Sequence, residues 1–146
     1  MSVACHFIRN YPFSCIIIAA IWVLCLIPIP ETPLDDVAMI DKWTHVAMYG
    51  GLCVVIWAEY LWRHHDIKKR KVLLGTFLAP VLMGGLLEIL QATCTGGRRS
   101  GDWLDWLADS IGVIAGGIIG ILLAACRATA RRGKPAGGNC KTDGRR

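Results

Sequence analysis

The chain has 146 residues, of which 54% are hydrophobic, with a net charge of +5 and a mean hydropathy of +0.46. So apolar a composition excludes an ordinary soluble domain, and the length suits one membrane bundle with little left for a second domain. Seven cysteines (residues 5, 15, 25, 53, 94, 126 and 140) show neither paired spacing nor a C-x-x-C, which argues against a disulfide framework and against zinc. No metal and no cofactor is expected.

A bilayer core of ~30 Å takes about 20 mostly apolar helical residues. Four windows come close: 13–29, 43–62, 72–93 and 105–126. The expected fold is all-α, an integral membrane bundle of four transmembrane helices within one domain over residues 1–126. The first window follows Arg9 and could be misread as a signal segment. No A-x-A-like site follows it, and it ends in Pro28-Ile29-Pro30, so it reads as an uncleaved span. The segment 127–146 is basic, Gly-rich and poor in apolar residues, and reads as a disordered tail.

Lys and Arg favour cytoplasmic loops. Arg9, the loop RHHDIKKRK (Arg63 to Lys71) and the basic tail fall on one side of a four-span arrangement, while Glu31, Asp35, Asp36 and Asp41 fall on the other. Both termini are therefore expected in the cytoplasm. The basic segments lack interleaved aromatic residues and a fold of their own, so they read as topology signals and not as a nucleic-acid surface.

The second window opens with Asp41, Lys42 and His45 on one helix face. The third ends outside with Glu88 and Gln91, and the fourth opens with Asp102, Asp105 and Asp109 along one face. Asp41 and Asp102 suit helix N-caps. At 1.5 Å per residue, Glu88 lies ~8 Å below Thr93 and Asp109 ~9 Å below Trp103, so both sit too deep for capping. An ionisable group at such depth costs about 3 kcal/mol or more unless paired or hydrated, and such groups face a bundle interior or a cavity. Arg98 and Arg99, in the connecting loop, are expected to fold over Glu88, Asp105 and Asp109. Tyr49 either adds a hydroxyl to this layer or simply packs. Beneath it, Gly112, Gly116 and Gly120 form a G-x-x-x-G strip for close helix packing, and Gly84, Gly85 and Pro80 suggest close approach with a kink. Trp43, Trp103 and Trp106 suit an outer aromatic belt. Glu59, one turn before Arg63, is expected to pair with it.

The stretch DKWTHVAMYGGL (Asp41 to Leu52), then E-x-x-Q at Glu88 and Gln91, then RSGDWLDWLADSIGVIAGG from Arg99, resembles the VanZ-like family of small bacterial membrane proteins. The elements D-K-x-x-H, E-x-x-Q and R-x(5)-D-x-x-A-[ND]-x-x-G occur in the family's order over three of the four windows. The resemblance implies a helical protein of the bacterial inner membrane, whose namesake is linked to low-level teicoplanin resistance, and it supplies no established reaction. Carried over by position, the polar residues are Asp41, Lys42, His45, Glu88, Gln91, Arg99, Asp105 and position 109, which is aspartate here where asparagine is common.

Three functions compete. The first is non-catalytic binding, or movement, of an amphiphile headgroup in the outer leaflet, the partner being a membrane lipid or a lipid-linked precursor. Lys42 and Arg99 would engage phosphate or carboxylate, and the acids would hold those cations or bind hydroxyls. The second is an intramembrane hydrolase or transferase with His45 as general base and Asp105 as nucleophile, although no Ser-His-Asp or H-E-x-x-H pattern is visible. In the third, the polar layer only locks the bundle.

Overall fold

The computed structural model describes residues 3–27, 39–64, 66–94 and 102–132. They form α1 (Val3–Asn10), α2 (Pro12–Leu26), α3 (Ile40–Arg63), α4 (Lys69–Val72), a π-helical stretch (Leu73–Leu78), α5 (Ala79–Cys94) and α6 (Trp103–Arg132). The architecture is all-helical. Two helical runs, Arg70–Cys94 and Trp103–Arg131, are long and apolar enough to cross a membrane. Only 33% and 22% of their most apolar windows are buried, so neither has the wrapped surroundings of a soluble core helix. Leu82, Leu86, Ile89, Ile114, Ile118 and Leu122 instead point outward.

Helix α6 runs past the expected boundary at 126 as far as Arg132. The added residues, Arg-Ala-Thr-Ala-Arg-Arg, include strong helix formers, and cations at a helix C-terminus complement its dipole. The remainder of the tail, 133–146, lies outside the described residues.

Pro12 opens α2, where its missing N–H has no intrahelical partner in any case. The amides of Phe13 and Ser14 donate to Glu59 Oε1 and Oε2, each at 3.0 Å, and the Ser14 hydroxyl donates to the same carboxylate. Glu59 thus caps α2 from the neighbouring helix, which corrects the expected pairing with Arg63. A buried carboxylate gains more from three donors at a positive helix end than from one mobile guanidinium near the surface. Arg63 reaches the Arg9 carbonyl at 3.3 Å. At the other end of α2, Gln91 Nε2 donates to the Cys25 carbonyl at 2.8 Å.

The irregularity near Pro80 has a local cause. Proline offers no N–H to the carbonyl one turn earlier, that of Thr76, and the helix widens to π geometry just before it. The Cys53 thiol donates to that carbonyl at 3.1 Å. A buried cysteine therefore fills space and also satisfies a backbone acceptor.

Helices α3 and α6 form the most extensive pair and run in the same direction, as the glycine strip shows. A Cβ at Gly112 would stand 2.5 Å from the Val46 carbonyl oxygen, one at Gly116 2.4 Å from that of Gly50, and one at Gly120 2.2 Å from the Trp57 ring. Helix α5 packs on α6 in the opposite direction, with Gly84 against Asp109 and Gly85 against Trp106. Between the helices lie Ile21, Cys25, Tyr49, Leu52, Leu87 and Val113. One end of the bundle holds two contacts between basic residues, Arg63 on the Arg9 carbonyl and Arg127 on the His64 carbonyl. The acids below gather at the opposite end.

Gly116→Leu is expected to lower stability in detergent by about 1–3 kcal/mol, since the added side chain meets backbone. Gly117→Ala, where nothing lies within 4 Å, should be neutral or slightly stabilising. Thermal unfolding of the two variants beside the parent checks this.

Candidate functional site

Three helices build the site. Helix α3 carries Lys42, His45 and Tyr49 at spacings of three and four residues, which puts them on one face. Helix α5 supplies Glu88, and α6 supplies Asp105 and Asp109, with Asp102 immediately before its first turn. The glycine strip sets how close these faces come.

Asp102 caps α6: its Oδ1 accepts the Leu104 N–H at 3.0 Å, as its position before the helix implies. Its Oδ2 meets Lys42 Nζ at 2.9 Å, and the same ammonium meets Asp105 Oδ1 at 2.5 Å. Lys42 therefore clamps the start of α6 to α3. The Asp102 amide donates to Glu88 Oε2 at 2.8 Å, which ties α5 to the same point. One turn deeper, His45 Nδ1 meets Asp109 Oδ1 at 2.8 Å. The two groups share one proton across this contact, and an ionised Asp109 would accept it from Nδ1. His45 is 3% exposed and Asp109 1%, so this pair is out of reach of solvent.

Asp109 and Glu88 do share a depth: His45, Glu88 and Asp109 each offer an atom within 4.8 Å of the other two. A second triangle of the same dimension joins Asp41, His45 and Asp105, although Asp41 is exposed; Asp41 does not cap α3 as expected, since the helix already begins at Ile40 and Met39 holds the N-cap position without a side-chain cap. The structure thus brings together Lys42, His45, Glu88, Asp105 and Asp109, with Asp41 at the rim. Gln91 is buried, but its amide serves the end of α2. Arg98 and Arg99 lie outside the described residues. The role expected of them towards Asp105 is filled by Lys42. Of the pair expected to act if the protein is an enzyme, His45 meets Asp109 and Asp105 meets the Lys42 ammonium.

No family model, curated protein or solved structure matches this chain. The site is therefore read from its own geometry.

Two aromatic side chains complete the surroundings of the site. Trp106, expected among headgroups, turns its indole N–H to the Val81 carbonyl at 3.0 Å and so clasps α5 to α6. Tyr49 is fully buried, yet its hydroxyl has no hydrogen-bond partner among the described residues. It lies within electrostatic reach of Asp109, Cys25 and Glu88. A buried, unpaired hydroxyl is uncommon enough to need an explanation.

Asp102 stands ahead of the apolar part of α6, and its carboxyl is held below the usual aspartate range, first by the Leu104 N–H and then by Lys42. A carboxyl that titrates lower in the folded state than in the unfolded one stabilises fully above the ordinary range, and that stabilisation fades as pH falls through the lowered value. The melting temperature of Asp102→Asn should accordingly fall less steeply on acidification than that of the parent. Lys42→Met leaves the buried Asp105 carboxylate without its cation and should cost about 3 kcal/mol, more than Asp102→Asn at neutral pH. Unfolding in detergent across a pH series tests both statements.

Proposed function

We infer that this is a multi-pass protein of the bacterial inner membrane with four spans and cytoplasmic termini, VanZ-like in its polar motifs, which binds an amphiphile headgroup at the outer leaflet without turning it over. The observation that carries this reading is the placement of Lys42, His45, Glu88, Asp105 and Asp109 inside one end of a bundle whose outward faces are apolar. Ionisable groups at that depth are expensive and mark ligand pathways in membrane proteins. The positive-inside rule supports the orientation, since the end holding Arg9, Arg63 and Arg127 would face the cytoplasm.

Lys42 is engaged by two carboxylates, so among the described residues the site is strongly acid-rich. That favours a headgroup bearing hydroxyls and amines, as a lipid-linked envelope precursor or a lipoglycopeptide does. A part in glycopeptide resistance of the teicoplanin type follows from the same reading. Binding without chemistry is favoured by the hydroxyls nearby: Ser110 Oγ donates to the Trp106 carbonyl and Thr44 Oγ1 to that of Ile40, each within its own helix. No activated nucleophile faces His45 among the described residues. The His45–Asp109 pair does resemble an oriented general base, and this is the observation that would favour a hydrolase or transferase instead.

Native mass spectrometry of the protein extracted gently from its own membrane should show a co-purifying amphiphile on the parent and loss of it in Asp105→Asn and Asp109→Asn. Folded parent protein that carries none would contradict the headgroup site. Turnover of a lipid-linked substrate that is abolished in His45→Ala would replace it with the enzyme reading.

A further inference from the structure

The deepest part of the cluster is short of positive charge. Asp41, Glu88, Asp102, Asp105 and Asp109 face one lysine and one histidine among the described residues, and Lys42 is spent on Asp102 and Asp105. Glu88 and Asp109 are buried on facing helices, and each has a donor atom within 4.8 Å of one on His45. Leaving such carboxylates without a cation is costly in a medium of low dielectric.

We propose that His45, Glu88 and Asp109 form a binding site for one first-row divalent cation, zinc or manganese, with the Tyr49 hydroxyl hydrogen-bonded to the water that completes its shell. The ligand set, one imidazole and two carboxylates, is a nitrogen and oxygen set suited to these ions and not to soft copper(I). Zinc–nitrogen and zinc–oxygen bonds of ~2.1 Å in a tetrahedron place donor atoms about 3.4 Å apart. The three donors already lie within 4.8 Å of one another, so small rotamer adjustments close the shell. Gly84 allows this crowding, because a Cβ there would stand 2.5 Å from Asp109 Oδ2. On binding, His45 passes to the tautomer protonated at Nε2, so that a neutral ring offers its Nδ1 lone pair to the metal, and any second proton held between His45 and Asp109 leaves to solvent.

The Tyr49 hydroxyl is an independent pointer. It is wholly buried, one turn below His45 on the same face, within electrostatic reach of both carboxylates, and without a hydrogen-bond partner among the described residues. A metal-bound water is the group that would satisfy it, and outer hydrogen bonds of this kind hold a metal site in shape. The cysteines need play no part, which is why their spacing gave no sign of a metal. The site stands whether or not an amphiphile binds above it.

The test uses the full chain in detergent, stripped with chelator and then equilibrated with cobalt(II) or zinc(II) chloride alone. One ion per folded chain is expected by elemental analysis, with a cobalt spectrum that has visible d–d bands and no thiolate charge-transfer band. His45→Ala and Asp109→Asn should lose the ion, Tyr49→Phe should weaken binding about tenfold, and Glu59→Gln, altered at the opposite end, should keep it. Folded parent protein that takes up no ion overturns the proposal, as does a thiolate band, or an ion retained by folded His45→Ala. Because the parent protein decides the first outcome, misfolding of a variant does not shelter the proposal. A chain that binds the ion yet carries no amphiphile would leave the metal site standing and the headgroup reading refuted.

Discussion

Carboxyl groups enclosed among apolar helices must find their charged or hydrogen-bonding partners on other helices, and this requirement organises the acid-rich end of the molecule. Asp109 cannot reach water, and its partner is His45 on α3. Asp105 has Lys42, again on α3, and Glu88 has the Asp102 amide at the start of α6. Each contact crosses from one helix to another. A bundle that slips by a turn would leave several of them unpaired at once, so the polar layer specifies register as well as offering a site.

Small residues make those contacts reachable. With glycine at 112, 116 and 120, the backbone of α6 lies against that of α3, and Gly84 lets α5 lie against Asp109. Two further polar side chains fix α2 at both ends, Glu59 at its N-terminal amides and Gln91 at the Cys25 carbonyl. The outcome is a site whose side chains are held by neighbours on separate rigid elements, the condition for selective recognition of a small polar group. The Trp106 indole and the Cys53 thiol serve the frame, each by donating to a carbonyl on the run that ends in α5.

What the sequence made legible follows from periodicity and depth. Helix positions, the glycine strip, the capping by Asp102, and the shared level of Glu88 and Asp109 all rest on spacings of 3.6 residues and a rise of 1.5 Å, and the structure reproduces each of them. Long-range choices were not legible. Glu59 has a nearby arginine and a distant helix end as competing partners, and only packing decides for the latter. The preference of Lys42 for Asp102 and Asp105 is likewise hidden, because an arginine pair in the adjoining loop is an equally good candidate on charge alone. Helix α1 lacks the length that would have drawn attention to it, and the extension of α6 to Arg132 lay within a segment whose composition suggested disorder.

The central claim is that His45 and Asp109 meet across α3 and α6 as one buried polar unit. A double-mutant cycle with His45→Gln, Asp109→Asn and the combined variant, read by reversible unfolding in detergent, tests this most directly. The account predicts strong non-additivity, with the double variant losing little more than the worse single one and a coupling of about 1–3 kcal/mol. Additive losses would mean that the two side chains do not touch, and the site as described would be wrong.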